Sequence, residues 1–238
     1  MKKSGKRFNK IGIILGQGLG LFSFLKEKKR KIVRTPFGAV EILVRDNFLF
    51  LFRHGRKNKI PPHKINHKAN LFAFKKEGVN LIIAFNSVGS LKNEIKPGEI
   101  VLISDCIDFS PPTFFEKKCL HIVPEISEKA RKFLEKILKE LKIKFRRKGI
   151  YFQTRGPRLE TKAEINLIKN FGDLVGMTMA KEATLAQELN LPYCSLAFVD
   201  NYAHGIGKRP LTLREIQKNQ KKNLKVIEKI IKKICLSS

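Results

Sequence analysis

The stretch "ILGQGLG", Ile14 to Gly20, predicts a buried strand that ends in a glycine-rich turn. Glycine lets backbone N–H groups approach an anion closely, and a turn leading into a helix N-terminus suits phosphate. Two familiar phosphate loops do not fit. A dinucleotide-binding loop needs glycine three residues after Gly18, where Leu21 stands, and a P-loop needs a final Gly-Lys-Ser/Thr. By itself the stretch is compatible with a phosphate site and equally with an ordinary turn.

Strand and helix patterns alternate outward from this stretch. Runs rich in β-branched and aromatic residues predict strands at Ile11–Leu15, Ala39–Val44, Phe48–Phe52, Leu81–Phe85, Ile100–Ile103, Gly149–Phe152 and Ser195–Val199. Residues 127–145 carry apolar side chains at helical spacing. Capping-box patterns mark further helix starts at Thr161 and Thr212, and the last helix should run to about Ile234. This alternation predicts an α/β fold with a central mixed sheet flanked by helices.

Composition limits the class of protein. With 238 residues and 42% hydrophobic content, the chain can bury one sizeable core. We expect a basic tail over residues 1–10 and a single domain over residues 11–238. The formal charge of +28 would suit a nucleic acid or an anionic membrane. However, lysine is spread along the whole chain, and no RNA-binding, zinc or basic-helix motif accompanies it, so nucleic acid is not the expected partner.

Cysteine usage and the N-terminus indicate a cytoplasmic protein. The four cysteines are widely spaced, which argues against a disulfide framework or a CxxC metal site and favours a reducing compartment; they are Cys106, Cys119, Cys194 and Cys235. The basic and then apolar N-terminus imitates a signal peptide, but glycines interrupt its apolar run. No run reaches the roughly 20 apolar residues of a membrane helix. We therefore expect no membrane partner.

Polar segments follow the predicted strands. "RHGR", Arg53 to Arg56, comes after Phe48–Phe52, and its guanidinium and imidazole groups suit phosphate oxygens. "NSVGSL", starting at Asn86, reads as a small polar turn after Leu81–Phe85. "TRGPRLET", "VGMTMAKEATLAQELNLPY" and "LAFVDNYAHG" come later. Each segment alone fits a solvated loop in a lysine-rich protein, whereas the ordered set is specific.

In this order the segments resemble the purine nucleoside phosphorylase and methylthioadenosine phosphorylase family, most closely its bacterial 5'-methylthioinosine phosphorylases. The resemblance extends from about Ile11 to Glu215. It implies a transferase of purine salvage that uses inorganic phosphate as co-substrate and needs no metal or organic cofactor. It also implies that the glycine turn closes over the phosphate.

The resemblance implies roles in the site for the residues that match the motifs of the family. The residues implied to bind phosphate are Gln17, Arg53, His54, Asn86, Ser87 and Thr178. The residues implied to bind the nucleoside are Leu159, Glu160, Met177, Asn201, Ala203 and Leu213, with Asn201 and His54 assigned to catalysis. Two positions depart from the family: Gln17 stands where Ser or Thr is usual, and Lys181 replaces a proline.

The chemistry of N-glycosidic cleavage explains such a set. Positive charge builds on the sugar and negative charge on the departing base. Phosphate held by Arg53 and His54 faces the anomeric carbon, and this proximity removes much of the entropic barrier. The Asn201 amide can donate to the base as charge develops there, and Glu160 can accept from a ring N–H.

Three positions bear on the substrate. Glu160 can accept the N1–H of a 6-oxopurine, and Asn201 can donate where an adenine-selective relative has Asp. Leu213 falls where a nucleoside phosphorylase has a histidine for the 5'-hydroxyl, which favours a methylthio group; its alternative is a helix residue facing the core. We therefore predict phosphorolysis of S-methyl-5'-thioinosine. A general inosine/guanosine phosphorylase and a methylthioadenosine phosphorylase are the alternatives.

Two other classes of function and more than one role for the loop at Phe114 are compatible with the sequence. A non-catalytic nucleoside- or RNA-binding protein would use the same pocket, and Gln17 keeps that possibility. A nucleoside hydrolase would use water in place of phosphate, against which Arg53 and His54 argue. The resemblance implies a homotrimer. Phe114 and Phe115, in a loop shorter than in relatives, either reach a neighbour's nucleoside site or pack within their own subunit.

Overall fold

A ten-stranded mixed sheet forms the centre of the computed structural model, which describes residues 8–16, 29–207 and 210–237. The strands are β1 Ile11–Leu15, β2 Lys29–Thr35, β3 Gly38–Arg45, β4 Phe48–Phe52, β5 Leu81–Ser90, β6 Ile100–Leu102, β7 Asp105–Ile107, β8 Ile150–Gln153, β9 Leu174–Gly176 and β10 Tyr193–Tyr202. The helices are α1 His67–Lys76, α2 Glu128–Glu140, α3 Lys162–Ile168, α4 Met179–Glu188 and α5 Leu213–Ser237. The predicted mixed α/β architecture is confirmed.

The sheet order brings the chain's functional segments to one edge. The strands follow the order β2-β3-β4-β1-β5-β9-β8-β7, and β10 pairs with both β5 and β6. Strand β1 is parallel to β4 and β5, and β5 is parallel to β10. The carboxyl ends of these four strands therefore lie side by side, which is where α/β proteins bind ligands.

Helices cover both faces of the sheet. Side chains alternate along a strand, so Ile13 joins the core on one face and Ile14 the core on the other. Helices α1 and α4 pack on the Ile14 face, and α2 and α5 on the Ile13 face. The predicted apolar stripe of α2 is buried, including Ala130 and Leu134. Within the described ranges, no helix is long and apolar enough to cross a membrane.

The structure corrects several predicted boundaries. The turn predicted after Phe85 is wrong, because β5 continues to Ser90 and pairs with β10 along that length. Strands β2, β7 and β9 were not predicted. In β2, "KRKIVRT", only Val33 is buried, because this is an edge strand whose exposed cations obscure the alternation of apolar and polar residues. Strands β7 and β9 have only three residues each, which is too short for such a pattern. Helix α5 ends at Ser237, beyond the predicted Ile234.

Both predicted helix starts are found. Thr161 and Glu164 form a complete capping box at α3. At α5, the Glu215 N–H donates to Thr212 Oγ1 at 3.2 Å. These local signals place the "GPRLE" segment just before α3, and Leu213 at the start of α5.

Candidate active site

A cavity of about 670 Å³ lies at the carboxyl edge of the parallel strands, between those strand ends and α5. It is lined by eleven of the twelve predicted site residues: Arg53, His54, Asn86, Ser87, Leu159, Glu160, Met177, Thr178, Asn201, Ala203 and Leu213. The twelfth, Gln17, lies outside the described residues. Of the predicted site residues that the cavity brings together, the first and last in the sequence, Arg53 and Leu213, are 160 residues apart.

Arg53 forms a buried ion pair that the sequence did not predict. Its Nε and Nη2 donate to the two carboxylate oxygens of Glu182 at 2.7 and 3.1 Å, and Nη1 donates to the Phe85 carbonyl at 2.8 Å. Tyr193 Oη also donates to Glu182, at 2.9 Å. Burial lowers the pKa of Arg53, but the Glu182 carboxylate outweighs burial and holds that pKa above its usual value. The guanidinium is therefore fixed and fully charged.

The pair leaves part of Arg53 for a ligand. Three of the five guanidinium N–H groups are engaged, so two have no protein acceptor among the described residues. Glu182 is the lone carboxylate on the buried face of α4, whose other buried members are mostly apolar. A charged residue on such a face needs a buried partner, so this lone carboxylate was the signal in the sequence from which an ion pair could have been predicted.

His54 is held as a neutral ring with a defined tautomer. Its Nδ1 lies 2.7 Å from the Ile60 carbonyl, which can only accept, so Nδ1 carries the proton. Burial lowers the pKa of His54, and the Arg53 charge lowers it further, while the Ile60 hydrogen bond opposes them. The unprotonated Nε2 can therefore accept a hydrogen bond from a ligand.

Thr178 keeps a donor for the cavity. Asn86 Nδ2 donates to Thr178 Oγ1 at 3.0 Å, and Ser195 Oγ donates to Asn86 Oδ1 at 2.8 Å. Thr178 precedes α4, and its side chain makes no cap bond. Because its oxygen already accepts from Asn86, the Thr178 hydroxyl proton remains free to donate. The Asn86 amide orients that hydroxyl.

Ser87 is engaged within the protein. Its hydroxyl donates to Asp200 in a close contact, and Gln220 Nε2 donates to Ser87 Oγ at 3.2 Å. Burial raises the pKa of Asp200 to about 6, although hydrogen bonds from Ser87 and Asn223 act against that rise. Asp200 was not predicted as a site residue, although a lone carboxylate in the apolar run "LAFVDNY" was a signal for it.

The far end of the cavity carries the residues predicted to bind the base. Thr154 Oγ1 donates to Glu160 Oε1 at 2.6 Å, and Asn201 Nδ2 donates to the Tyr202 carbonyl at 2.7 Å. A side chain at Gly89 would come within 3.2 Å of Asn201 Nδ2, so glycine there leaves space for the amide. Each of the two groups retains hydrogen-bonding capacity for a ligand.

Met177 and the rim residues complete the cavity. Gly156 has φ +66°, and a Cβ there would lie 2.5 Å from Met177 Sδ, so only glycine allows this close approach. Leu213 is 70% exposed, and the alternative that it faces the core is wrong. The half-buried Ile216, one turn further along α5, also lines the cavity and was not predicted. Leu159 is 42% exposed at the rim.

Phe114 packs within its own subunit. Its ring centroid lies 5.1 Å from Phe37 and 6.2 Å from Phe72, and its N–H donates to Glu188 at 2.7 Å. The contacts anchor this loop against α1 and α4. Phe115 is half-buried nearby.

His67 is a buried histidine that should make the stability of the fold dependent on pH. It is 7% exposed, and neither ring nitrogen has a hydrogen-bond partner among the described residues. Burial and, after it, the charges of Arg53 and Lys181 together lower its pKa to about 3. Below about pH 6.5 the histidine of the unfolded chain binds a proton that the folded chain does not bind. The fold is therefore destabilised as the pH falls.

We expect the lowered pKa of His67 to reduce the free energy of unfolding by about 2 kcal/mol between pH 7 and pH 5. Asp200 acts in the opposite direction, since its raised pKa makes the folded protein gain a proton below about pH 6. The measurement is therefore the difference in unfolding free energy between the wild type and His67→Phe at each pH. Parallel curves for the two proteins would contradict the prediction.

Comparison with known proteins gives consistent matches. A family model described as the phosphorylase superfamily matches residues 10–235. The chain is 41% identical over 234 residues to a probable 6-oxopurine nucleoside phosphorylase from Archaeoglobus fulgidus, covering 94% of this chain and 96% of that protein. It is 42% identical over 237 residues to a probable S-methyl-5'-thioinosine phosphorylase from Methanocaldococcus jannaschii, covering 93% and 91%. A solved structure of methylthioadenosine phosphorylase from Schistosoma mansoni with adenine has a TM-score of 0.83 at 26% identity, covering 94% and 90%.

Proposed function

The chain belongs to the phosphorylase superfamily, and from that membership and the cavity we propose that it is a purine nucleoside phosphorylase acting on 6-oxopurine nucleosides. The reaction breaks the N-glycosidic bond with inorganic phosphate and yields the free base and a ribose 1-phosphate. The observation that carries the proposal is the convergence of eleven predicted site residues on one cavity at the parallel strand ends. We propose S-methyl-5'-thioinosine as the preferred substrate.

The phosphate subsite uses directed donors more than net charge. Glu182 neutralises the charge of Arg53, so the two remaining guanidinium N–H groups contribute through their orientation. Thr178 adds a hydroxyl proton. Neutral His54 accepts, through Nε2, the proton of a hydrogen phosphate ion, which turns the unprotonated oxygens toward the sugar. Phosphate held in this way faces the anomeric carbon without having to lose entropy in the reaction step.

The base subsite stabilises the leaving group. The Asn201 amide has one N–H engaged with Tyr202, and the other donates to the purine as negative charge develops on it. Glu160 accepts the N1–H of hypoxanthine or guanine, while the Thr154 hydroxyl donates to the Oε1 atom of the same carboxylate. Adenine has no N1–H, so this pair disfavours adenine nucleosides.

The 5' end of the nucleoside meets apolar side chains of α5. Leu213 and Ile216 line the cavity and cannot donate to a 5'-hydroxyl. A methylthio group fits such a surface better, by about 1–3 kcal/mol in a hydrophobic pocket. We therefore expect kcat/KM to be highest for S-methyl-5'-thioinosine, lower for inosine and guanosine, and lowest for methylthioadenosine.

The test is an assay of free base with these four nucleosides, with and without phosphate and with a chelator. We expect base release that needs phosphate and is unchanged by the chelator. Release without phosphate would indicate a hydrolase, and binding without release would indicate a non-catalytic nucleoside-binding protein. Inosine exceeding S-methyl-5'-thioinosine would refute only the 5' assignment to Leu213 and Ile216.

We also propose assembly as a homotrimer, as the family resemblance suggests. Phe114 packs against Phe37 and Phe72 of its own chain, and the half-buried Phe115 is the other candidate of this loop for reaching a neighbour. Sedimentation at micromolar concentration should give the mass of three chains of 27.3 kDa. A fully active monomer would contradict the proposal.

A further inference from the structure

Asp200 is a buried carboxylate in the cavity wall to which the proposed reaction gives no role. It is 1% exposed, and the register of β10 against β5 shifts between Val199 and Asn201, so Asp200 is the extra residue of a bulge. In a regular strand, consecutive side chains point to opposite faces. Here Asp200 and Asn201 both line the cavity. The bulge therefore brings a carboxylate to the site beside the amide.

The Asp200 cluster, which we define as Asp200 with Ser87, Asn219, Gln220 and Asn223, joins three elements. Ser87 on β5 donates to Asp200 Oδ2, and Asn223 Nδ2 on α5 donates to Oδ1 at 2.7 Å. Asn219 Nδ2 donates to the Asp200 main-chain carbonyl at 2.7 Å, and Gln220 Nε2 donates to Ser87 Oγ at 3.2 Å. Three side chains of α5 are thereby bonded to the ends of β5 and β10.

The cluster bonds to helix α5 in and next to its N-terminal part, where the helix has the fewest buried side chains. The buried residues of α5 are Asn223, Ile230, Ile231 and Ile234, and the half-buried Leu224, Val226 and Ile227 also pack against the core. Residues 213–222 include none that is fully buried. This segment nevertheless carries Leu213 and Ile216 in the cavity wall. The apolar side chains of α5 that pack against the core begin at Leu224, just after this segment, so within the segment the polar bonds from Asn219 and Gln220 to Asp200 and Ser87 hold it in place.

We propose that Asp200 is a positioning residue that fastens the start of α5 to the strand ends and thereby sets discrimination at the 5' end of the nucleoside, an inference that rests on the proposed function for its substrate. The bulge makes this possible, because it directs the carboxylate toward α5 while Asn201 remains available to the base. Loosening α5 lets Leu213 and Ile216 move away from the 5' substituent. Selection between methylthio and hydroxyl groups then weakens.

The first test needs no substrate. Amide hydrogen exchange is followed in segments 213–222 and 128–140 of the whole protein. Asp200→Ala and Asn223→Ala should accelerate exchange in segment 213–222 at least tenfold and leave segment 128–140 unchanged. The matched control is Lys225→Ala, an exposed position on the same helix that should behave as the wild type. Unchanged exchange in both cluster variants would overturn the fastening role.

The second test is kinetic. The ratio of kcat/KM for S-methyl-5'-thioinosine to that for inosine should fall at least fivefold in Asp200→Ala and Asn223→Ala. Asp200→Asn should keep the ratio within twofold, because its amide can accept from Asn223 and donate to Ser87 Oγ. If Asn223→Ala keeps the wild-type ratio of the two kcat/KM values, the proposal is overturned. If Asp200→Ala does not fold, Asn223→Ala and Asp200→Asn still test the proposal. An inactive wild type would refute the proposed function and its substrate, while the exchange result still decides whether Asp200 fastens α5.

Discussion

Replacing Glu182 with alanine should lower the free energy of unfolding by about 3–5 kcal/mol, since it leaves the Arg53 guanidinium buried without its carboxylate. Arg53 is 2% exposed and Glu182 1% exposed, so the charge left on Arg53 lies in a buried position. Whole domains are stable by only about 5–15 kcal/mol. Chemical denaturation of the two proteins measures the difference directly.

A double variant separates folding from phosphate binding. Arg53→Met with Glu182→Leu removes both charges and should recover most of the lost stability. It also removes the guanidinium donors, so kcat/KM for phosphate should fall at least tenfold, as expected when a charge-assisted contact worth about 1.5–3 kcal/mol is lost. Wild-type phosphate dependence in this variant would refute the phosphate role of Arg53.

The exposed pair Arg158 and Glu164 provides the control for stability. The two side chains are joined at 2.7 Å but are 66% and 43% exposed. Arg158→Ala should lower the free energy of unfolding far less than Glu182→Ala does, because solvent screens an exposed pair. If Glu182→Ala costs no more than this control, the buried pair does not stabilise the fold as argued.

The second large effect is expected from Asn201→Asp, which should reverse the preference for the base. An ionised carboxylate only accepts, so it suits the exocyclic amine of adenine and not the 6-oxo group of hypoxanthine. A buried polar group left unpaired by the wrong base is strongly disfavoured. We expect the ratio of kcat/KM for S-methyl-5'-thioinosine to that for methylthioadenosine to change at least a hundredfold, on the order of 2.7 kcal/mol.

The control for this reversal is Asn201→Ala, which removes the donor without adding an acceptor. It should reduce activity on both nucleosides and leave their order unchanged. Assays at pH 8 keep a carboxyl at position 201 ionised despite the neighbouring Asp200. If the unmodified protein cleaves methylthioadenosine best, the interpretation of Glu160 and Asn201 is wrong.

Local patterns in the sequence were sufficient for much of the architecture. The apolar runs of β1 and β4 match their predicted bounds, Ile11–Leu15 and Phe48–Phe52. The stripe of α2 and the capping box at Thr161 were also found as predicted. These features are set by interactions within a few residues, which a periodic pattern or a capping residue reports directly. The ordered motifs likewise predicted the residues that line the cavity.

Longer contacts were decided only by the tertiary structure. Arg53 meets Glu182 across 129 residues, and Ser87 meets Asp200 across 113. The strand character of Asn86 and Ser87 depends on pairing with β10, which no local pattern around them indicates. Each buried polar group must find a partner, but which partner it finds depends on sheet order, register and the bulge at Asp200. The sequence thus determined which polar groups reach the site, and the packing of distant strands and helices decided which of them are left free for a ligand.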